Sequence, residues 1–258
     1  MNIVLLGSGN VATHLGRAFK MAGQTIVQVW SRDVEHAREL ADTLASEAIS
    51  DMDDINRTAD LYIIAVKDNA IRELALTLNI GDKLIVHTSG STSLQALDGV
   101  SGHTGVFYPL QTFSKNKAVD FRQVPIAIEA NNPEDLAAIR AIADRISERV
   151  TELNSAQRKA LHVAAVFACN FTNHLISISQ QLLEDENLDF DLLRPLIAET
   201  ASKVQLYDPA TVQTGPAVRE DNEIINSHLE MLRDQPELQD LYRKLSQSIV
   251  NLHKQTRG

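Results

Sequence analysis

The chain has 258 residues, 44% hydrophobic and 22% charged, and its 24 Lys+Arg against 34 Asp+Glu give a formal net charge of −10. This length can bury a sizeable core in one or two domains, and the acidic balance argues against general nucleic-acid binding. The lone cysteine, Cys169, excludes an internal disulfide framework and a cysteine-rich metal site, and no metal-ligand spacing is present.

Residues 3–6 form an unbroken apolar run suited to a strand buried on both faces of a parallel sheet. The run breaks at Gly7. Ser8-Gly9-Asn10-Val11-Ala12 follow, and Val11, Leu15, Ala18, Phe19 and Ala22 recur at helical spacing. Strand, glycine turn and helix in this order give G-x-G-x-x-A its dinucleotide-binding meaning. Gly7 permits the turn, and Gly9 lets the backbone approach a pyrophosphate. The helix N-terminus offers unpaired N–H groups to the phosphates. Gly7, Ser8, Gly9, Asn10 and Val11 are thus candidate cofactor-binding residues.

Gly23 stops that helix, and 25–30 reads as a second strand ending in Ser31-Arg32-Asp33. NAD-preferring sites carry an acidic residue at this strand end. Here Ser31 and Arg32 stand there instead. A hydroxyl followed by a guanidinium suits a 2′-phosphate, because Arg presents a charged fork of donors, so the expected cofactor is NADP. The alternative is a solvated Arg32, with Asp33 taking the ribose. Trp30 reads as a packing residue.

A helix over 35–45 and a short strand over 48–50 come next, then a buried strand over 60–66 that ends at Lys67-Asp68-Asn69. Ligands of doubly wound sheets lie beyond the carboxyl ends of the strands, which puts Val66 and Lys67 beside the cofactor. Asp68 either borders the cofactor with them or is the N-cap of a helix over 70–78, the role that suits its carboxylate better. The fifth strand, 83–87, runs into His87-Thr88-Ser89-Gly90-Ser91. There His87 and Ser89 either face the nicotinamide half of a cleft or belong to a simple cap.

A strand over 103–110 leads into Tyr108-Pro109-Leu110-Gln111-Thr112-Phe113-Ser114, an apolar loop with spaced polar groups that fits a substrate-pocket lip and offers Gln111 as a substrate ligand. Strand 124–129, a helix starting near Pro133 and a short strand over 150–153 complete the alternation. The predicted boundary therefore divides a dinucleotide-binding domain, 1–153, from an all-helical substrate and dimerisation domain, 154–258.

Residues 155–184 read as one long helix, apolar around much of its circumference and so expected to be buried. At about 100° per residue, His162, Cys169 and Asn173 share one stripe, with Asn170 close by. Polar groups on an apolar helix are either mutually satisfied or line a cleft. In a cleft between the domains His162 would carry a proton, as imidazole does near neutrality, and Asn170 or Asn173 would orient a substrate carbonyl. Cys169 reads as a small buried hydrophobe. Helices over 190–206, 222–233 and 237–253 follow. Between them Gly215-Pro216-Ala217-Val218-Arg219 offers Arg219 to a substrate carboxylate, or else to a neighbouring acid. Leu238, Leu241, Leu245, Ile249 and Leu252 form a stripe, part core and part dimer face. No apolar run reaches the length of a membrane span, and a first strand near Asn2 leaves little room for a cleaved leader. A cytoplasmic protein is expected.

These motifs resemble the Rossmann-like NADP oxidoreductases that carry a C-terminal domain of unknown function (domain of unknown function 2520). The resemblance rests on 7–12, 87–91, 107–113, 162–170 and 215–219. More distantly the chain is similar to pyrroline-5-carboxylate reductases, ketopantoate reductases and β-hydroxyacid dehydrogenases. The resemblance implies an α/β, doubly wound, mostly parallel sheet followed by an all-α domain of the 6-phosphogluconate-dehydrogenase-like type, and a homodimer formed through the helices. The β-hydroxyacid and ketopantoate enzymes use a lysine on the first long helix. Lys159 lies near that place, His162 aligns better with Asn173, and either is a candidate acid/base. The expected activity is hydride transfer between NADP and a small C=O or C=N substrate. A non-catalytic NADP-sensing module is the alternative.

Overall fold

The computed structural model describes residues 1–257. Eight strands form one sheet: β1 (Asn2–Leu6), β2 (Thr25–Trp30), β3 (Glu47–Ile49), β4 (Leu61–Ile64), β5 (Leu84–His87), β6 (Thr104–Pro109), β7 (Ile126–Ala130) and β8 (Val150–Glu152). Their order is β3-β2-β1-β4-β5-β6-β7-β8. All neighbours are parallel except β6 and β7, which are antiparallel. The sheet is thus mostly parallel and doubly wound, as the alternating pattern implied, and the chain leaves β1 to opposite sides at β2 and β4. That switch point is where such sheets bind ligands.

The apolar run of β1 is buried on both faces, and successive residues feed different cores. Ile3 and Leu5 pack with Phe19, Leu40, Ile63 and Phe107, while Val4 and Leu6 pack with Trp30, Tyr62, Ile64 and Leu74. Helices α1 (Asn10–Met21), α2 (Val34–Leu44), α3 (Ile71–Thr77) and α4 (Pro133–Ala143) connect the strands. Asp68 does not cap α3. It lies in a short 3₁₀ turn, Asp68–Ala70, and its carboxylate accepts from the Ser91 hydroxyl.

The long helix is continuous but not uniform. It runs as α5 (Ser155–Ala165), a wider π-helical stretch (Val166–Phe171) and α6 (Thr172–Asp185). Contrary to the expectation of burial, Val163, Phe167 and Phe171 are about half exposed or more, and Cys169 is exposed as well. By length and apolar composition the helix Ser155–Asp185 could cross a membrane, so the expectation that no stretch reaches that length does not hold. Histidines and asparagines interrupt the apolar run without lowering the average enough to exclude it.

By contacts the chain divides into two compact units, Met1–Leu175 and Ile176 onward. Residues 155–175 go with the sheet because α5 is tied to it. Asn154 and Gln157 form a capping box at its start, and Arg158 is buried against the turn after β5. The second unit contains α7 (Arg194–Leu206), α8 (Asn222–Met231) and α9 (Pro236–Arg257). Within it Asp221 caps α8, and His228 Nδ1 lies 2.8 Å from the Tyr242 hydroxyl.

Candidate active site

Beyond the carboxyl ends of β2, β1, β4, β5 and β6 lies a cleft of about 1090 Å³. Five adjacent strands at about 4.8 Å spacing make it roughly 19 Å across. Its floor is the turn after β1. Gly7 has φ +128°, and a Cβ there would fall 2.3 Å from the Ala65 carbonyl oxygen, so any side chain is excluded by both conformation and space. Gly9 differs: a Cβ there would meet nothing within 4 Å, which keeps backbone bare where it borders the cleft. Gly9 is the N-cap of α1. No side chain caps this end, and its first turn holds no acidic residue. The first helical bond runs from Thr13 N to Gly9 O, so the preceding N–H groups and the helix dipole are free for an anion.

Of the residues expected at the cofactor, Gly7, Ser8, Gly9, Asn10, Val11, Ser31, Arg32, Val66, Lys67 and Ser89 line the cleft, as do Gln111 and His162. Among the described residues Arg32 and Lys67 have no acidic partner. Asp33 accepts from Glu35 N as the N-cap of α2 and does not line the cleft, which argues against its taking a ribose. Asn10 also donates to Phe113 O at 2.8 Å, and His14 stacks on the Phe113 ring, so α1 holds the loop after β6. The Gln111 side-chain Oε1 accepts from Thr112 N within its own loop.

His87 does not face the cleft. It is fully buried, with Nδ1 accepting from Ser89 N at 3.2 Å and Nε2 lying 3.3 Å from Ser93 O. Burial first, then the Arg158 guanidinium, lowers its pKa to about 4. It is a neutral brace for the turn. Ser89 accepts from Ser91 N and Thr92 N, shaping the same turn.

Lys159, Asn170 and Asn173 lie on exposed parts of the long helix and do not line the cleft. The stripe joining His162 to Asn173 assumed about 100° per residue. The π-helical turns between them wind more slowly and rotate the later residues off that stripe. Arg219 is an exposed loop residue of the second unit.

Three features escaped the sequence reading. Tyr108, nearly buried at the end of β6, places its hydroxyl 3.0 Å from His162 Nδ1. Burial first, then the Asp68 carboxylate, raises the phenol's pKa. Gly90 lies beneath the pair: a Cβ there would fall 2.7 Å from Tyr108 Cζ and 2.8 Å from His162 Nδ1. Arg158, 1% exposed, pairs with Glu129 on β7, donates from Nε to Ser89 O at 3.2 Å, and reaches Thr92 O. Glu129 also accepts from Ser155 N and its hydroxyl. This buried pair pins the start of α5 to the 87–92 turn, one helical turn before His162. The Tyr-Pro at the end of β6 and the glycine after β5 were the available signals, but only tertiary structure joins them.

Unpaired cations, a bare glycine turn and an uncapped helix end together fit a phosphate-bearing dinucleotide, so fold and cleft define a Rossmann-type dinucleotide-binding protein. The comparisons agree. Residues 2–90 match a family model described as "NADP oxidoreductase coenzyme F420-dependent", and residues 124–249 match domain of unknown function 2520. A "putative NADP oxidoreductase" from Bacteroides fragilis is 48% identical over 97% of this chain and 98% of that one, with a TM-score of 0.91. A Thermotoga maritima protein is 22% identical over 99% and 100% (TM-score 0.75), and a 1-pyrroline-5-carboxylate reductase from Streptococcus pyogenes is 16% identical over 97% and 98% (TM-score 0.64). No curated protein matches by sequence. The chain belongs to the family of NADP oxidoreductases that carry this C-terminal domain, and NADP is its cofactor.

Proposed function

We propose that the protein transfers a hydride between the nicotinamide of NADP(H) and a small C=O or C=N compound, with His162 as the proton carrier. The observation that carries this reading is the Tyr108–His162 pair, 3.0 Å apart, in a cleft that also holds the glycine turn. A protein that only senses NADP has no need of a hydrogen-bonded phenol and imidazole bordering its cofactor cleft. The cofactor supplies the hydride. The chain's own residues do the rest. The turn at Gly7–Gly9 and the end of α1 hold the diphosphate. Ser31 and Arg32 hold the 2′-phosphate, with Lys67 adding positive charge from the end of β4. Thr88, Ser89 and Gly90 border the reacting end, and His162 delivers or takes the proton there. Gln111 lies at the lip to hold substrate. The same reading divides the chain into a dinucleotide-binding domain, 1–153, and a helical domain, 154–258, that pairs with a second copy. One free, exposed Cys169 suits a reducing cytoplasm.

The test is to incubate the protein with NADPH and a panel of cyclic imines and keto acids while following the absorbance of the reduced nicotinamide. At least one compound is expected to be reduced. His162→Ala should lower kcat/KM for it by about 10²- to 10⁴-fold. A protein that binds NADPH but reduces nothing would turn the assignment to sensing, and full turnover by His162→Ala would remove His162 from its role.

A further inference from the structure

We propose that Tyr108 is a positioning residue that fixes His162 in its Nε2–H tautomer and refills Nδ1 as the Nε2 proton leaves. This rests on the hydride-transfer reading for its function, but not for its geometry.

The bond between Tyr108 Oη and His162 Nδ1 can be written in two directions. An imidazole nitrogen is a far stronger acceptor than a phenol oxygen, so the phenol O–H donates and Nδ1 accepts. The raised pKa of Tyr108 keeps that proton in place through the neutral range. A neutral imidazole carries one proton, so it then sits on Nε2. Among the described residues Nε2 has no protein hydrogen-bond partner, and His162 lines the cleft. Its N–H is available to a ligand.

This tautomer has a mechanistic consequence. A neutral imidazole gives up one proton readily only when its other nitrogen gains one. When a hydride adds to the carbon of a C=O or C=N group, the π electrons move onto the oxygen or nitrogen. That atom takes the His162 Nε2 proton. Tyr108 passes its proton to Nδ1, and the phenolate left behind regains one from water. One hydride and one proton reach the substrate, and one proton is drawn from solvent. The charged groups acting on Tyr108 are Asp68, on the turn after β4, and Arg158, one helical turn before His162. They work in opposite senses, the carboxylate holding the phenol protonated and the guanidinium easing its ionisation.

Gly90 is the second, independent support. Its missing Cβ is the space that lets the phenol and imidazole close to bonding distance. Gly90→Ala keeps both partners and pushes them apart, whereas Tyr108→Phe keeps the packing and removes the donor.

The test is a long-range ¹H–¹⁵N correlation spectrum of the ¹⁵N-labelled full chain, with His162 assigned by the signal lost in His162→Gln. Wild type should show His162 as a single Nε2–H tautomer at neutral pH. Tyr108→Phe and Gly90→Ala should each show the Nδ1–H form appearing beside it, with an unfolding midpoint confirming that both fold. An Nδ1–H wild type, or variants with unchanged tautomers, would overturn the proposal. On any imine reduced in the panel, Tyr108→Phe should lose about 10²-fold in kcat while KM changes little. An unchanged kcat would overturn the refilling step. The expected tautomers without any turnover would leave the positioning intact and refute the reductase reading.

Discussion

At the scale of single residues, the proposed hold on the 2′-phosphate turns on Arg32. It follows β2, lines the cleft and has no acidic partner among the described residues, while the carboxylate next to it caps a helix. A charge-assisted hydrogen bond contributes about 1.5–3 kcal/mol, and each 1.4 kcal/mol is tenfold in affinity. Arg32→Ala should therefore reduce the preference for NADPH over NADH by about 10- to 100-fold, read by titrating both cofactors. An unchanged ratio would return Arg32 to the solvent and leave the 2′-phosphate to Ser31 or Lys67. Arg32's place at the cleft was legible in the sequence because it follows from a local rule: the strand ends, and the next side chains border the ligand cleft. Gly7 and Gly9 were legible for the same reason. Tyr108 and Gly90 were not, since they act only together with His162, 54 residues after Tyr108. Arg158 was missed because a charged residue on a helix ordinarily reads as solvated, and only its partner on β7 makes burial tolerable.

Among the elements, the turn after β5 borders the cleft and lies against the Tyr108–His162 pair. His87 braces it from below and Arg158 clamps it from α5, so Gly90 is held under the Tyr108–His162 pair. The brace works only while His87 is neutral, because a second proton would go on Nδ1, where Ser89 N–H already points. Its pKa falls from 6.5 to about 4 on folding. Between those values the unfolded chain binds a proton that the folded chain refuses, so stability rises with pH across the window. Lowering the pH from 6.5 to 4 should cost about 3 kcal/mol at this residue alone. His87→Asn keeps an acceptor for Ser89 N but cannot take up the proton. The stability advantage of wild type over His87→Asn in urea should shrink steadily from pH 7 to pH 4.5, and a constant difference would place the acid sensitivity elsewhere. The strands themselves were easily read, since unbroken apolar runs leave few alternatives in a parallel sheet. The long helix was harder. Its composition marks a helix, but the π-helical turns at Val166–Phe171 are invisible to a fixed angular period, so every facing inferred beyond Ala165 shifted.

For the whole molecule, the open question is what covers the apolar face of the long helix. Phe167 and Phe171, 65% and 48% exposed, stack edge to face at 5.0 Å with Val163 one turn away. From Ala160 to Leu183 there is no Asp, Glu, Lys or Arg. A chain of net charge −10 tends to repel its own copy, and this uncharged stretch adds nothing to that repulsion. Burying each ring against a second copy contributes about 1 kcal/mol or more, and two-fold symmetry counts every contact twice. We therefore expect a homodimer, with light scattering after gel filtration giving twice the 28.5 kDa of one chain. Its melting temperature should rise with protein concentration, as mass action requires. Phe167→Asp combined with Phe171→Asp places carboxylates on a face already open in the single chain, so that chain should still fold and elute at 28.5 kDa. A wild-type protein that stays monomeric at tens of micromolar would refute the pairing and leave the face to a different occupant, a membrane surface among them. NADPH titrations on the variant would then separate binding in the cleft, whose lining residues all precede Leu175, from any requirement for the second copy.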